Sequence, residues 1–289
     1  MKKLLLTVAA IFGIAIILTG CPGPAGGDDN KQESRHQVSG KFGTWSAPYE
    51  VGDIIFSDGS ATPYTTDLEL TDAQKAAAIA VIYYKGTGLN SDNSNKVRTL
   101  GVGLKQAQNR WCTDDAKAYD ITVSTITCNR TGEGINMTFS GDLDGSDNLE
   151  QIAQFLKTAE NRYDDTTTER KYPGFYFAKN YKNTETAIEG TQFENGWFIP
   201  SVAEMYEIYK CRKDQVNGFD VNSAITKCGE SIICNDNIYW TSTDHPSVPE
   251  LAYNLKMYSS LSFAPEFPRT NPVTSKSNQS YYVFAIREF

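Results

Sequence analysis

The sequence is poor in the residues that most enzymes use for catalysis. Its only histidines are His36 and His245, and both lie in loop-like sequence. It contains no Gly-x-Ser-x-Gly, Walker, His-Glu-x-x-His or Cys-x-x-Cys motif. A histidine-activated nucleophile is therefore not expected, and the separation of both histidines from the cysteines argues against a zinc site. We expect a protein that is not an enzyme and that uses no metal or cofactor.

Positive charge is also scarce. Lys and Arg together number 27, against 35 Asp and Glu. Removing Lys2 and Lys3, which belong to an export signal, leaves 25 basic residues and a net charge near −10. Nucleic acid and anionic lipid are therefore not expected as partners, because both repel an acidic chain.

The longest apolar run lies at the N-terminus. It covers Leu4–Leu18, follows two lysines and ends in Leu18-Thr19-Gly20-Cys21. This pattern is typical of an export signal and is too short for a membrane-spanning helix. The cysteine after small residues resembles the lipobox of bacterial lipoproteins, whose cysteine is acylated. We predict a signal peptide over residues 1–20, a palmitate-type anchor on Cys21, and a place at the outer membrane and cell surface. The alternative is an ordinary signal peptide.

Composition divides the rest of the chain into two parts. Residues 22 to about 40 are rich in Pro, Gly and charge, and cannot bury enough apolar surface to order themselves. We predict a flexible tether over residues 21–44. No second linker interrupts the remaining residues, so we predict one domain over 45–289.

Five cysteines remain after Cys21, an odd number for an exported chain. The predicted disulfides are Cys112–Cys128 and Cys211–Cys228, with Cys234 left over. The alternative is that all five are free, buried thiols.

β-branched and aromatic residues at short spacing predict several strands. In the last one, Tyr282, Phe284 and Ile286 alternate with Val283 and Ala285, which indicates a strand with two different faces. The predicted strands cover 51–59, 79–85, 97–104, 238–243, 251–257 and 281–289.

Helices are fewer. Capping boxes that begin at Thr71 and Ser201 mark two helix starts. Asp147 is expected to cap a third helix, and a short fourth one is predicted over 219–229.

Two further features concern metal binding and the core. Asp142, Asp144 and Asp147 precede the third helix, but their spacing is not that of an EF-hand. We interpret them as a solvated acidic loop, with calcium binding as the alternative. Trp197 and Trp240 lie beside strand and helix patterns and are predicted to be core residues.

The order of these segments resembles a known family. The stretches "GWFIPSVAEMYEIY", "YWTST", "AYNLKM" and a closing "VFAIREF" follow one another as in lectin-like domains of bacterial surface proteins. The resemblance covers about residues 45–289. It implies an α+β domain with the C-type lectin fold of the formylglycine-generating-enzyme type, which has twisted antiparallel sheets, flanking helices and long irregular loops.

Within that group, the chain looks most like the treponemal variable lipoproteins, which are targets of a diversity-generating retroelement. The resemblance implies a variable C-terminal region over about 231–280. The stretch "SFAPEFPRTNP" in this region has neither strand nor helix period, and a long structureless loop is uncommon unless it is functional. The residues that the resemblance assigns to ligand binding are Asp244, His245, Ser247, Val248, Tyr258, Ser260, Ser262, Phe263, Phe267, Arg269 and Thr270.

Three functions stay open at this point. The favoured one is a surface-displayed lipoprotein whose diversified loops bind an unknown ligand, which we expect to be a protein on a host or bacterial surface. The second is an oxidase or hydrolase on the same fold. The enzyme that gives the fold its name uses cysteines near its last strands, and here none follows Cys234. The third is a fixed-loop envelope lipoprotein that binds carbohydrate or acts structurally, although the sequence triplets of calcium-dependent lectins are missing.

Overall fold

Strands supply most of the regular structure. The computed structural model describes residues 35–132, 136–158, 166, 170–212, 219–230, 237–257, 273–277 and 281–289. The strands in this part of the chain are β1 (Asp53–Phe56), β2 (Ala61–Pro63), β3 (Ala78–Gly86), β4 (Arg98–Asn109), β5 (Cys128–Thr131), β6 (Thr138–Gly141), β7 (Trp197–Phe198), β8 (Ile238–Asp244), β9 (Leu251–Lys256), β10 (Val273–Ser275) and β11 (Tyr281–Glu288). The α-helices are α1 (Asp72–Ala77), α2 (Asn148–Thr158), α3 (Pro173–Lys179), α4 (Val202–Lys210) and α5 (Val221–Lys227).

The last strand of the chain lies inside the main sheet. The strand order is β10-β9-β8-β11-β4-β3-β1-β2, and the short strand β7 also pairs with β11. Strand β8 runs parallel to β11, whereas the other pairs of this sheet are antiparallel. Strands β5 and β6 form a separate hairpin. The path of the chain therefore ends between β4 on one side and β7 and β8 on the other.

Both faces of the main sheet are covered. Along β11, Phe284 and Ile286 belong to one apolar core, and Val283 and Ala285 belong to the other. Helices α4 and α5 contribute to the first core, and α2 and α3 contribute to the second. The alternation predicted for this strand is confirmed, and the domain is of the α+β class, with a core dominated by the sheet. Each fully buried large side chain stabilises such a core by about 1.5–3 kcal/mol.

Local sequence signals predict the helix starts well. At Thr71 and at Ser201 both halves of the capping box form, so the expected helices α1 and α4 begin there. Trp197 and Trp240 are buried, as predicted. The strand expected over 97–104 continues to Asn109, because the rest of β4 pairs with β11.

The predicted disulfides are wrong, because the thiols of Cys128, Cys211 and Cys228 are free; these three cysteines and Cys112 are all buried. Cys112 belongs to the core on one face of the sheet, whereas Cys128 belongs to the core on the other. The Cys211 thiol donates to the Tyr83 carbonyl at 3.2 Å, and the Cys228 thiol donates to a carbonyl of its own helix at 3.4 Å. Burial raises the pKa of Cys128, Cys211 and Cys228 to about 12, so these three thiols stay protonated at neutral pH.

Several sequence predictions lie outside the described residues. They are the signal peptide, the lipidation site Cys21, most of the tether, and Cys234. Among the residues that the structure describes, no helix has the length and apolar character needed to cross a bilayer.

Candidate functional site

Residues 258–272, which contain seven of the predicted binding residues, lie between β9 and β10, two strands that pair with each other. Strands β8 and β9 pair from Ile238–Lys256 to Trp240–Asn254, and β10 then adds to the outer edge of β9. Met257, directly after β9, is buried, and its N–H donates to the Asn237 carbonyl at 2.9 Å. We call these three strands, β8, β9 and β10, the frame. The chain leaves the frame at the buried residue Met257 and returns to it at β10, which pairs in register with β9.

The return point is fixed by a buried lysine that the sequence analysis missed. The Lys276 ammonium donates to the carbonyls of Ala118 (2.7 Å) and Ile121 (3.2 Å) and to the Asp244 carboxylate (2.9 Å). It also lies 4.8 Å from the centre of the Trp111 ring. The backbone N–H of Lys276 donates to the Glu250 carbonyl at 2.9 Å. One residue thus ties the end of β10 to the loop before β9, to the end of β8 and to residues 118–121.

The prediction that Asp244 lies on the ligand-binding surface is wrong. Its side chain is fully buried at the end of β8 and forms the ion pair with Lys276. It also accepts hydrogen bonds from the backbone N–H groups of Val123 (2.9 Å) and His245 (2.8 Å). Burial raises the pKa of Asp244 to about 6, against the opposing effect of the Lys276 charge. Asp244 therefore supports the loop from inside the domain. Its buried charge is compensated by Lys276.

His245 organises the loop that follows β8. Its Nδ1 accepts hydrogen bonds from the backbone N–H groups of Ser247 (3.2 Å) and Val248 (2.9 Å). Its ring stacks on Tyr253 of β9, with 5.8 Å between the ring centres. Burial and the nearby Lys276 lower the pKa of His245, which keeps the ring neutral and able to accept these bonds. Its ring nitrogen Nδ1 is therefore occupied within the loop.

Ser247 and Val248 are exposed at the tip of this loop, as expected for a contact surface. Val248 is 37% exposed and is, with Val97, one of two exposed large apolar side chains in the part of the chain that the structure describes. The remaining predicted binding residues lie outside the described residues: Tyr258, Ser260, Ser262, Phe263, Phe267, Arg269 and Thr270.

The loop over 245–250 and the segment over 258–272 join strand β9 at opposite ends. This loop precedes β9, whereas the segment over 258–272 begins after β9, about 20 Å further along the strand. The contact between the Lys276 N–H and the Glu250 carbonyl brings the loop next to the far end of the segment instead. A binding surface made of this loop and the segment over 258–272 must therefore lie beside β10, where the segment ends.

A second polar cluster supports the motif that begins at Ser201. The Arg98 guanidinium, buried at the start of β4, pairs with Asp144 (2.9 Å), Glu204 (2.9 Å) and Glu288 (3.2 Å). Burial alone would lower the pKa of Arg98, but these carboxylates raise it above its ordinary value, so the arginine stays charged. Burial raises the pKa of Glu204, while Arg98 and the N–H groups of Ser201 and Gly145 lower it. The capping-box glutamate thus also ties α4 to β4.

The acidic loop before α2 is less solvated than predicted. Asp142 is buried and accepts a hydrogen bond from the Ser91 hydroxyl at 2.8 Å. Burial raises the pKa of Asp142 to about 6. Asp144 is half-buried beside Arg98, and Asp147 is exposed. Within the described residues, no group of three or more His, Cys, Asp or Glu side chains is arranged to hold a metal ion.

Comparison with known proteins gives one distant structural relative. A fimbrial protein from Bacteroides ovatus ATCC 8483 has a similar fold, with a TM-score of 0.52 and 15% sequence identity. The match covers 83% of this chain and 49% of that protein, so the chain spans about half the length of its relative. No protein-family model matches the chain, and no curated protein matches it. At this identity the likeness shows the fold alone.

Proposed function

We propose that the protein is a surface-displayed lipoprotein that binds a ligand, expected to be a protein, through a diversified C-terminal surface. In this proposal the domain has the C-type lectin fold of the formylglycine-generating-enzyme type. Residues 258–272 and the loop over 245–248 contact the ligand, while β8, β9, β10 and Lys276 hold them. The export signal and Cys21 place the domain at the outer membrane, and no catalytic step is involved.

The observation that carries the proposal is the buried support at both ends of the segment. Met257 fixes its start, and the Lys276–Asp244 pair fixes its return. The fifteen residues 258–272, which have no strand or helix period, lie between Met257 and β10. A segment that tolerates many sequences needs its ends held by contacts that do not involve its own side chains, and this frame supplies such contacts. Binding residues are commonly placed on loops that a rigid scaffold positions.

A structural role at the cell surface is the second candidate. It is favoured by the similar fold of a protein described as fimbrial. In that case the segment over 258–272 would have a fixed sequence and serve assembly or envelope structure. Neither candidate uses the buried thiols, whose raised pKa values make them poor nucleophiles.

The first test is the pattern of natural variation. The gene would be sequenced from many isolates of one species. We expect substitutions to concentrate at 245–248 and 258–272, with Asp244 and Lys276 unchanged because the frame depends on their pairing. Substitutions spread evenly along the domain would contradict the binding proposal and favour the structural role.

The second test separates binding from folding. Phe263, Phe267 and Arg269 would be replaced together by Ser, since aromatic residues and arginine dominate binding hot spots. We expect the melting temperature to stay within about 2 °C of the wild type, because side chains at a contact surface add little to the core. Partners captured from host and bacterial surface extracts should be lost or changed. A large fall in melting temperature would instead place these side chains in the core.

A further inference from the structure

A cleft separate from the loop surface lies between α2, α3 and β7. It has a volume of about 430 Å³, within the range of about 300–1,000 Å³ that is usual for ligand sites. Its walls include Leu149 of α2, Phe175 of α3, and Trp197 and Ile199 at β7. These four side chains are buried, so they form a fixed apolar floor rather than a movable surface.

The rim of the cleft carries charges that are already engaged. Lys179 and Glu150 face each other across one side at 3.3 Å, and both are more than half exposed. Arg287 lies on the other side and donates to the carbonyls of Asn195 (2.9 Å), Gln192 (3.1 Å) and Glu288 (2.9 Å). The cleft itself therefore suits an uncharged, apolar group.

A polar compartment of about 260 Å³ adjoins the cleft, and Ser146 lines both. Two cations lie in its wall, and both are neutralised. Arg98 pairs with Asp144 and Glu288, and Lys96 pairs with Glu288 at 2.6 Å. Neither cation is free to bind an anionic ligand without losing an existing partner.

Two further carboxylates of this compartment, Asp92 and Asp147, form no ion pair within the described residues. Asp92 accepts a hydrogen bond from the Ser94 N–H (2.9 Å), and Asp147 accepts one from the Gln151 side chain (2.7 Å). With Asp144 they make three carboxylates in the lining of this compartment, against the two cations Lys96 and Arg98. Glu288, which pairs with both cations, lines the adjoining cleft. The lining of the polar compartment therefore has an excess of one negative charge, and both of its cations are already paired with carboxylates, so the compartment is complementary to a cation.

We propose that this pair of compartments binds an extended peptide, with a large apolar side chain in the cleft and a Lys or Arg side chain in the polar compartment. An extended peptide places residues i and i+2 on the same side, about 7 Å apart, which suits two adjoining compartments of different character. The site shares no residue with the loop over 244–250 or with the segment over 258–272, so it is independent of the diversified surface.

The test uses the full-length chain in detergent and a short fluorinated probe, acetyl-(4-fluoro-Phe)-Gly-Lys-amide. Binding is followed by the change in the fluorine NMR signal as protein is titrated, with detergent alone as the blank. We expect saturable binding at probe concentrations below about 10 mM. Two control probes replace Lys by Glu, or the aromatic residue by a fluorinated polar one, and each should bind at least tenfold more weakly.

Variants locate the site. Ser146→Trp, on an exposed residue at the junction of the compartments, should weaken probe binding at least tenfold. The double variant Asp92→Asn with Asp147→Asn should bind the Lys and Glu probes equally well. The aromatic residue of the probe should still contribute to binding. The matched control, Asp67→Asn with Glu69→Gln, removes the same charge from the exposed segment between β2 and α1 and should change nothing.

All these positions are exposed, so the substitutions are not expected to unfold the domain. A melting curve of each variant checks that it is folded. Equal affinity for the Lys and Glu probes, or undiminished binding to Ser146→Trp, would overturn the proposal. So would the absence of saturable binding to the wild type. None of these results bears on the loop surface, which is tested by sequence variation and by the Phe263, Phe267 and Arg269 substitutions.

Discussion

Lys276 holds the ends of the proposed binding loops in place but contributes nothing to their exposed surface. It is fully buried, yet its ammonium has four protein contacts: two carbonyls, one carboxylate and the face of Trp111. Removing one member of a buried ion pair leaves the other charge without compensation, which costs about 3–5 kcal/mol. The ion pair is therefore a requirement of the frame, whatever sequence the loops carry.

We predict that Lys276→Met destabilises the domain by about 3–5 kcal/mol, because Asp244 is left buried and unpaired. Chemical denaturation of the wild type and the variant measures the difference. The double variant Lys276→Met with Asp244→Asn should recover part of the loss, since it leaves no unpaired buried charge at this position. An unchanged unfolding midpoint in the single variant would mean that the pair contributes nothing to the frame.

His245 provides a prediction on pH. Its pKa is lowered from the ordinary value of 6.5 by burial and by Lys276, so the folded protein favours the neutral ring. Its contribution to stability is therefore present above pH 6.5 and is lost as the pH falls through the lowered pKa, because the unfolded chain takes up the proton first. Protonation also removes the acceptor for the Ser247 and Val248 N–H groups.

The comparison uses His245→Asn, whose side-chain oxygen can accept the same bonds but cannot titrate in this range. The wild type and the variant should have the same melting temperature at pH 7.5. Below about pH 6.5 the wild type should melt lower than the variant, by on the order of 1–2 °C. Asp142 and Asp244 also titrate near here, with pKa values raised to about 6, but their effect is opposite in sign and common to both proteins. A constant difference across the range would show that His245 does not titrate within the loop.

At the scale of elements, the sequence predicts what is decided locally. Capping boxes at Thr71 and Ser201 start helices because each depends on residues three apart. The alternation in β11 predicts which side chains face each core, because it depends on strand geometry alone. These parts of the fold could be derived without knowing which strands are neighbours.

What depends on distant neighbours could not be derived. Lys276 lies in the polar stretch "TSKSNQS", which indicates an exposed lysine, but its partners are 32, 155 and 158 residues away. The same limit explains the wrong disulfides, since nothing local shows that Cys112 and Cys128 belong to different cores. Asp244 was misplaced by one position: the strand predicted to end at 243 continues through it. The apolar cleft was missed because its walls come from four separate parts of the chain.

At the scale of the whole molecule, the proposed place at the cell surface depends on a membrane anchor. The resemblance of Leu18-Thr19-Gly20-Cys21 to a lipobox predicts a lipid anchor on Cys21. Since one acyl chain binds a membrane only marginally, a stable anchor needs more than one chain on this cysteine.

We predict that the chain expressed with its signal in a bacterium partitions into the detergent phase, and that Cys21→Ala moves it to the aqueous phase. The readout is phase separation followed by immunoblotting. Cys234→Ala is the matched control, because it removes a cysteine that cannot serve as the acylated first residue. Identical partition of wild type and Cys21→Ala would exclude lipidation at this position.

The central position of β11 has a genetic consequence. Every premature stop or frameshift introduced upstream, including anywhere in the region over 231–280, deletes or scrambles the strand that β4, β7 and β8 all need as a partner. Such a product cannot close its main sheet, and it exposes apolar surface that proteases recognise. Under the proposed diversification of 245–248 and 258–272, only gene copies that keep their reading frame through β11 can therefore produce a chain with a complete main sheet.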